Sequence, residues 1–469
     1  MTYEDAVAYL ESLENFEQHH DAQAMRALHL ERMRRFCQRL GDPQRRFRSV
    51  LVTGTNGKGS ICAMLYSMLR ESALRAGLYT SPHVEHVRER VRVWTAGAEA
   101  GVRVHGDDWI TEAEFASLVA QLQPVVEDFR RDTTGPPLTY FEVMTAMAFM
   151  QFAQHRVEVA VLETGLGGRL DATNVVEQAV SVIAPIDVDH ADVLGDDPVA
   201  IAREKAGIVK PHQLVLTAAQ SDAVLDVLRA ACEREGVPLM RSGRDVTARV
   251  HAHSLSGLRL AITGLRGIYE ALELPLIGRH QAENAALAVG ALETLSPTGV
   301  PRSLVEQGLA RVSWPGRLEV VHEQPLVLLD GAHNPHAVQA LAMTLRELCP
   351  KRRMHLLIGM SADKSVEAIG QILGSVVVSA TCTKSRHPRA LDPTALAKRF
   401  SPFCHDVHVM SDPIDAYTYL FNAVSSHDAM VVTGSFFLVG ELRASLRHAH
   451  LVAKRQDSHR APADVAVGA

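Results

Sequence analysis

The chain has 469 residues, too many for one ordinary core, so two domains are expected. Hydrophobic residues make up 47% and charged residues 22%, the balance of a soluble globular protein. A formal net charge of −6 argues against a nucleic-acid partner, and six scattered cysteines with no C-x-x-C pair argue against a disulfide framework or zinc site and suit a reducing cytoplasm.

In chain order, Tyr3, Ala6, Leu10 and Leu13 recur at helical spacing in an acidic N-terminus, which predicts an amphipathic helix rather than a secretion signal. No apolar run reaches the roughly 18 residues of a membrane span. The β-rich runs RSVLVTG, AGLYTS, VEVAVLETG, AVSVIAPID and QLVLTAA alternate with helical patterns. That alternation predicts an α/β fold with a mostly parallel sheet and helices on both faces. ENAALAVGALETLS predicts a helix, with PTGVP after it as the linker candidate. QPLVLLDGAHN, RMHLLIGM, SVVVSA and MVVTGSFF predict a second, smaller α/β domain. The expected boundaries are 1–296 and 297–450, with 451–469 a disordered tail. Thr95–Arg103 and Asp132–Pro137 read as loops.

The densest chemistry lies where Val50, Leu51 and Val52 run into Gly54-Thr55-Asn56-Gly57-Lys58-Gly59-Ser60 and a helical pattern follows. This is a variant of the G-x-x-x-x-G-K-[ST] phosphate loop, with an extra glycine between lysine and serine. The backbone N–H groups of Thr55–Gly59 are expected to form an anion nest at a helix N-terminus, with Lys58 reaching the β- and γ-phosphates. Ligands of parallel sheets bind outside the carboxyl ends of the strands. Ser81, Glu163 and His190 follow three of the apolar runs, so they should share the edge that carries this loop. Oxygen ligands suit Mg²⁺, and one nitrogen does not exclude it.

Further along, GLGGRLDATN (Gly165–Asn174) is not a dinucleotide fingerprint, but its glycines would let backbone approach a substrate. Lys205, in AIAREKAGIVKP, reads by itself as a solvated surface charge, as do Glu204 and Lys210. Asn284, Arg317, Asp330 and His333 sit beside glycines and prolines, and none alone identifies a ligand.

Taken together the chain resembles the folylpolyglutamate synthase/dihydrofolate synthase family, a branch of the Mur ligase superfamily. The resemblance is carried by LGDPQRRFRSVLVTGTNGKGS, GLYTSPHVEHVRERVRV, LTYFEVMTAMAF, LETGLGGRLDATN, DVDHADVLG, AREKAGIVK, GRHQAENAALA, WPGRLE, DGAHNPHA and VVTGSFFLVGEL, from about Tyr3 to Leu442. It implies a large P-loop-type domain, like the Mur ligase central domain, and a smaller C-terminal ligase domain. It places ATP, a co-substrate, on Thr55, Asn56, Gly57, Lys58, Gly59 and Ser60, with Asn284, Arg317 and Asp330 around the rest of the nucleotide. Lys58, Lys205 and His333 become catalytic. Ser81, Glu163, His190 and Lys205 become ligands of Mg²⁺, two ions, with Lys205 carried as a carbamate. Thr139, Tyr140, Phe141, Leu170, Asp171 and Ala172 match segments that hold the pterin–aminobenzoate substrate.

The implied activity is ATP-dependent addition of L-glutamate to tetrahydrofolate, and to dihydropteroate, by a cytoplasmic monomer without nucleic-acid or membrane partners. Two departures stand out: Thr95–Arg103 looks inserted, and IDVDH carries an additional Asp187. The alternatives are a Mur-type amide ligase with a non-folate substrate, a P-loop kinase or NTPase, and a nucleotide-binding module without catalysis.

Overall fold

The computed structural model describes residues 1–18, 29–95, 106–132, 136–189, 191–296 and 298–458, with backbone alone for 191–192 and 448–458. The chain forms two compact units, Met1–Glu319 with Asn334–Pro350, and Val320–His333 with the chain from Lys351 onward.

The first unit is built on a seven-stranded sheet of order β3-β2-β4-β1-β5-β6-β7. Its strands are β1 (Arg48–Thr53), β2 (Ala76–Tyr79), β3 (Val91–Trp94), β4 (Val159–Glu163), β5 (Gln178–Ile183), β6 (Leu214–Thr217) and β7 (Leu239–Arg241). All pairs are parallel except β2–β3. Alternating side chains feed two separate cores, as the period of two in a strand requires. Leu51, Ala160 and Leu162 pack with the Glu112–Asp132 and Tyr140–Gln154 helices, whereas Val50, Val52, Val159 and Val161 pack with the Lys58–Arg70 and His280–Leu295 helices. Both faces are therefore covered, which is why these strands read as near-continuous apolar runs.

A three-stranded antiparallel sheet, β8 (Thr247–Ser254), β9 (Gly257–Thr263) and β10 (Ile268–Leu274), adds Leu258, Leu260, Ile262 and Leu272 to the second of those cores. Sequence reading did not foresee it. The second unit carries a six-stranded sheet of order β11-β12-β16-β13-β14-β15. These strands are β11 (Glu319–Glu323), β12 (Leu326–Leu329), β13 (Met354–Ile358), β14 (Ser379–Cys382), β15 (Val407–Val409) and β16 (Ala429–Thr433).

Three expectations need correction. The first unit does not end at 296, because the Arg302–Ala310 helix places Val305 and Leu309 in the core of the Lys58–Arg70 helix, and Ser67 Oγ donates to the Gly308 carbonyl at 2.7 Å. The run SVVVSA is not one strand. Its first valines turn off the Val366–Leu373 helix, with Val376 N donating to the Leu373 carbonyl, and β14 begins only at Ser379. The expected tail is helical as far as Ser458, and 459–469 lie outside the described residues. So does most of the apparent insertion, its 96–103 part, and the 133–135 part of the other expected loop, whose Asp132 ends a helix.

Candidate active site

The parallel register brings the loop ends together. Val52 of β1 pairs with Glu163 of β4, and Leu162 pairs with Tyr79, so Gly54, Glu163 and Ser81 leave the same sheet edge. Ser81 N donates to the Glu163 carboxylate at 3.3 Å. Glu163 is buried, and that burial raises its pKa against the opposing charges of Lys58 and Arg317.

Gly57, at φ +86°, caps the Lys58–Arg70 helix, a backbone geometry that a side chain resists. A Cβ there would lie 2.7 Å from Asn284 Oδ1, and one on Gly59 would lie 3.0 Å from the Trp314 ring. The loop is thus packed flush against Asn284 and Trp314. Ser60 is buried behind them.

Two amides of the expected anion nest, Thr55–Gly59, are already engaged. Thr55 N and Asn56 N both donate to the Pro185 carbonyl, at 2.8 and 3.4 Å, and Thr55 Oγ1 exchanges hydrogen bonds with the Asp187 backbone. The N–H groups of the first helical turn, from Lys58 onward, have no intrahelical acceptor. The main chain of the additional Asp187 thus straps its segment to the loop, while its carboxylate accepts from Val188 N at 2.7 Å.

Two lysine side-chain nitrogens converge on one carbonyl. Lys58 Nζ donates to Gly54 O and Thr55 O, each at 3.1 Å, and Lys205 Nζ donates to Gly54 O at 2.8 Å. Lys205 is not the surface residue its helix suggests; it is 4% exposed. Burial, with the nearby Lys58 charge, lowers its pKa to about 7, against the opposite pull of Asp189 and Asp171. Its helix is docked by the Gly165–Asn174 loop: Arg169 N donates to Glu204 O, and the Arg169 guanidinium pairs with the Glu204 carboxylate at 2.9 Å. Lys210 is likewise held, by the carbonyls of Asn174 and Val176, both at 2.6 Å.

The residues expected to hold the second substrate divide into two kinds. Thr139 caps the Tyr140–Gln154 helix in a reciprocal box with Glu142, and Asp171 accepts from Leu166 N, Thr173 N and Thr173 Oγ1. Both are buried, as are Tyr140 and Ala172. Phe141 and Leu170 are only half-buried and offer surface, the Phe141 ring lying 6.0 Å from that of Tyr79 and against Gly165.

Arg317 lies in the first unit, close enough for its charge to act on Glu163. Asp330 and His333 belong to the second unit, after β12, where Asp330 accepts from Ala332 N and His333 packs against Phe436. His190 lies outside the described residues. Among the described residues no group of three or more His, Cys, Asp or Glu is placed to hold a metal ion. Sequence reading missed Asn334 and His336, whose side chains reach Asn56 of the loop. The one available signal was Asn before Pro, a helix-start pattern.

Two family models match: Mur ligase middle domain over residues 111–292 and Mur ligase, glutamate ligase domain over 316–436. The chain is 34% identical to the dihydrofolate synthase/folylpolyglutamate synthase of Bacillus subtilis, over 89% of this chain and 95% of that one. A solved structure of Mycobacterium tuberculosis folylpolyglutamate synthase complexed with ADP and AMPPCP superimposes with a TM-score of 0.82 at 34% identity, covering 89% of this chain and 95% of that one. An Escherichia coli structure in complex with DHPP and ADP does so with a TM-score of 0.81 at 30% identity, covering 96% and 99%. No described helix is long and apolar enough to cross a membrane. At these identities, over nearly its whole length, the chain belongs to the dihydrofolate synthase/folylpolyglutamate synthase family of Mur ligases.

Proposed function

We propose that the protein is an ATP-dependent ligase that joins L-glutamate to tetrahydrofolate, and to dihydropteroate, through an acyl phosphate. The observation that carries this reading is the meeting of Lys58 and Lys205 on the Gly54 carbonyl, at the sheet edge where Ser81 meets Glu163. The ADP, AMPPCP and DHPP bound by relatives support a nucleotide and a second small molecule.

A carboxylate is a poor electrophile. Attack of its oxygen on the γ-phosphorus of ATP gives an acyl phosphate and ADP, and the glutamate amine then forms the amide as phosphate leaves with the C–O electron pair. Lys58 and the first-turn amides would stabilise charge on the transferring phosphoryl group. Phe141 and Leu170 would seat the pterin–aminobenzoate moiety.

The donor set fits Mg²⁺: a buried carboxylate and a hydroxyl residue from adjacent strands, beside the phosphate loop. Ser81, Glu163, His190 and a carbamate on Lys205 would hold it, two ions in all, and the metal would neutralise phosphate charge. A lysine with its pKa near 7 keeps a large share of neutral amine, whose lone pair can add to CO₂ with loss of a proton. Asn284, Arg317 and Asp330 would contact the rest of the nucleotide, with His333 beside them. The six cysteines, all buried and none in a disulfide, fit a cytoplasmic setting, and a monomer is proposed.

The test is ADP release with and without glutamate for each pterin acceptor, with product masses determined. Glutamate-dependent release and a product heavier by one glutamyl residue are expected. Release that ignores glutamate would instead favour the kinase or NTPase reading.

A further inference from the structure

We infer that Asn334 is a positioning residue for the nucleotide site, joining the phosphate loop to the strap that leads to His190. The inference rests on the ligase reading of that loop. The strap, residues 185–189, is fastened to the loop at three points. The Pro185 carbonyl accepts from Thr55 N and Asn56 N, and the Asp187 backbone exchanges hydrogen bonds with Thr55 Oγ1. The third fastening runs through Asn334, which lies far away in sequence but within the first unit.

Asn334 is 3% exposed, and its amide is fully used. Nδ2 donates to Asn56 Oδ1 at 3.0 Å and to Asp189 Oδ2 at 2.9 Å. Oδ1 accepts from Asn56 Nδ2 at 3.3 Å and from Ala337 N at 2.9 Å, so the same side chain caps the Pro335–Leu348 helix. Asn56 Nδ2 also lies 3.0 Å from His336 Nδ1. A helix cap needs only an acceptor, and serine or aspartate would serve. The two donor bonds go elsewhere, one to the phosphate loop and one to the carboxylate beside His190. An asparagine is the side chain that does both jobs from one buried position. Asn56, with its own N–H given to Pro185, has its side-chain orientation set by Asn334.

The variants separate the two jobs. Asn334→Ser keeps a capping acceptor and loses the amide donors, and Asn334→Asp keeps the cap while setting a carboxylate against Asp189. Calorimetric Kd for ATP with Mg²⁺, KM for ATP, kcat and Tm are measured for both, for Asn56→Ala and for the Asn56→Ala/Asn334→Ser double variant. Asn334→Ser should weaken ATP binding about tenfold (~1.4 kcal/mol) with Tm little changed, and Asn334→Asp should weaken it further. KM for ATP should rise more than kcat falls. In the Asn56→Ala background the tenfold effect should shrink to about threefold or less, the remainder passing through Asp189. Unchanged Kd in Asn334→Ser, whether or not Tm falls, would reduce the residue to a helix cap and overturn the inference, as would independent, multiplying effects. Should the wild type itself bind no ATP, the ligase reading fails instead.

Discussion

Substituting Gly57 by alanine tests the shape of the phosphate loop without removing any charge. Two penalties follow from the structure. Gly57 sits at φ +86°, where an L side chain costs roughly 1–2 kcal/mol. The new Cβ would lie 2.7 Å from Asn284 Oδ1, so Asn284 must move, although its Nδ2 donates to Gln281 Oε1 at 3.0 Å and its helix is buried. Breaking that bond costs on the order of 1 kcal/mol. The total is about 2–3 kcal/mol, and it must appear somewhere. If the loop keeps its form, unfolding stability falls by that amount; if it relaxes, affinity for ATP falls by up to ~100-fold. Chemical denaturation and ATP calorimetry on the same protein measure both shares. In denaturation, adding Asn284→Ala should recover the steric part of the stability loss and leave the dihedral part. Gly57→Ala with wild-type stability and wild-type Kd would refute the reasoning, because neither penalty would then exist.

Other outcomes follow from the same geometry. Lys58→Ala should lower glutamate-dependent turnover about a hundredfold or more, the scale of one lost electrostatic contact of ~3 kcal/mol, as steady-state ADP release would show. Lys205→Met should abolish activity yet stabilise the fold. Because the folded pKa is depressed from 10.5 to about 7, the unfolded chain holds more protons between those values, so wild-type stability rises with pH across that window. In CO₂-free buffer at pH 7 the variant should gain a few kcal/mol on the order of the shift, with a flatter pH profile; equal slopes in denaturation would count against a buried, neutralised lysine. Lys205→Ala should be nearly inactive and partly restored by acetate if a carbamate oxygen is what the site uses; normal rates without acetate would return the residue to the surface reading. Phe141→Ala should raise KM for the pterin acceptor roughly tenfold and leave KM for ATP alone, since its half-buried ring faces Tyr79 and Gly165 rather than the phosphate loop.

How much of this was legible in the sequence depends on how far each feature reaches along the chain. The loop and its sheet edge were legible, because a strand, a glycine turn and a helix start are local patterns, and the parallel-sheet rule places every strand end on one side. The antiparallel sheet was not, because its register slips between Val250 and Ala252 and again between Tyr269 and Leu272, which blurs the period of two just where it would be counted. The boundary at 296 failed for a different reason: RSLVEQGLA announces a helix but not which core its Val305 and Leu309 will enter. Lys205 shows the limit most clearly. In a one-dimensional pattern a lysine on an amphipathic helix is solvated by default, and its burial follows from a contact with Gly54, 151 residues earlier. The Asn56–Asn334 pair spans 278 residues. Spacing reports which face of an element a residue occupies, whereas these side chains are oriented by partners from other segments. Their chemistry is therefore set by tertiary pairing, which no local periodicity carries.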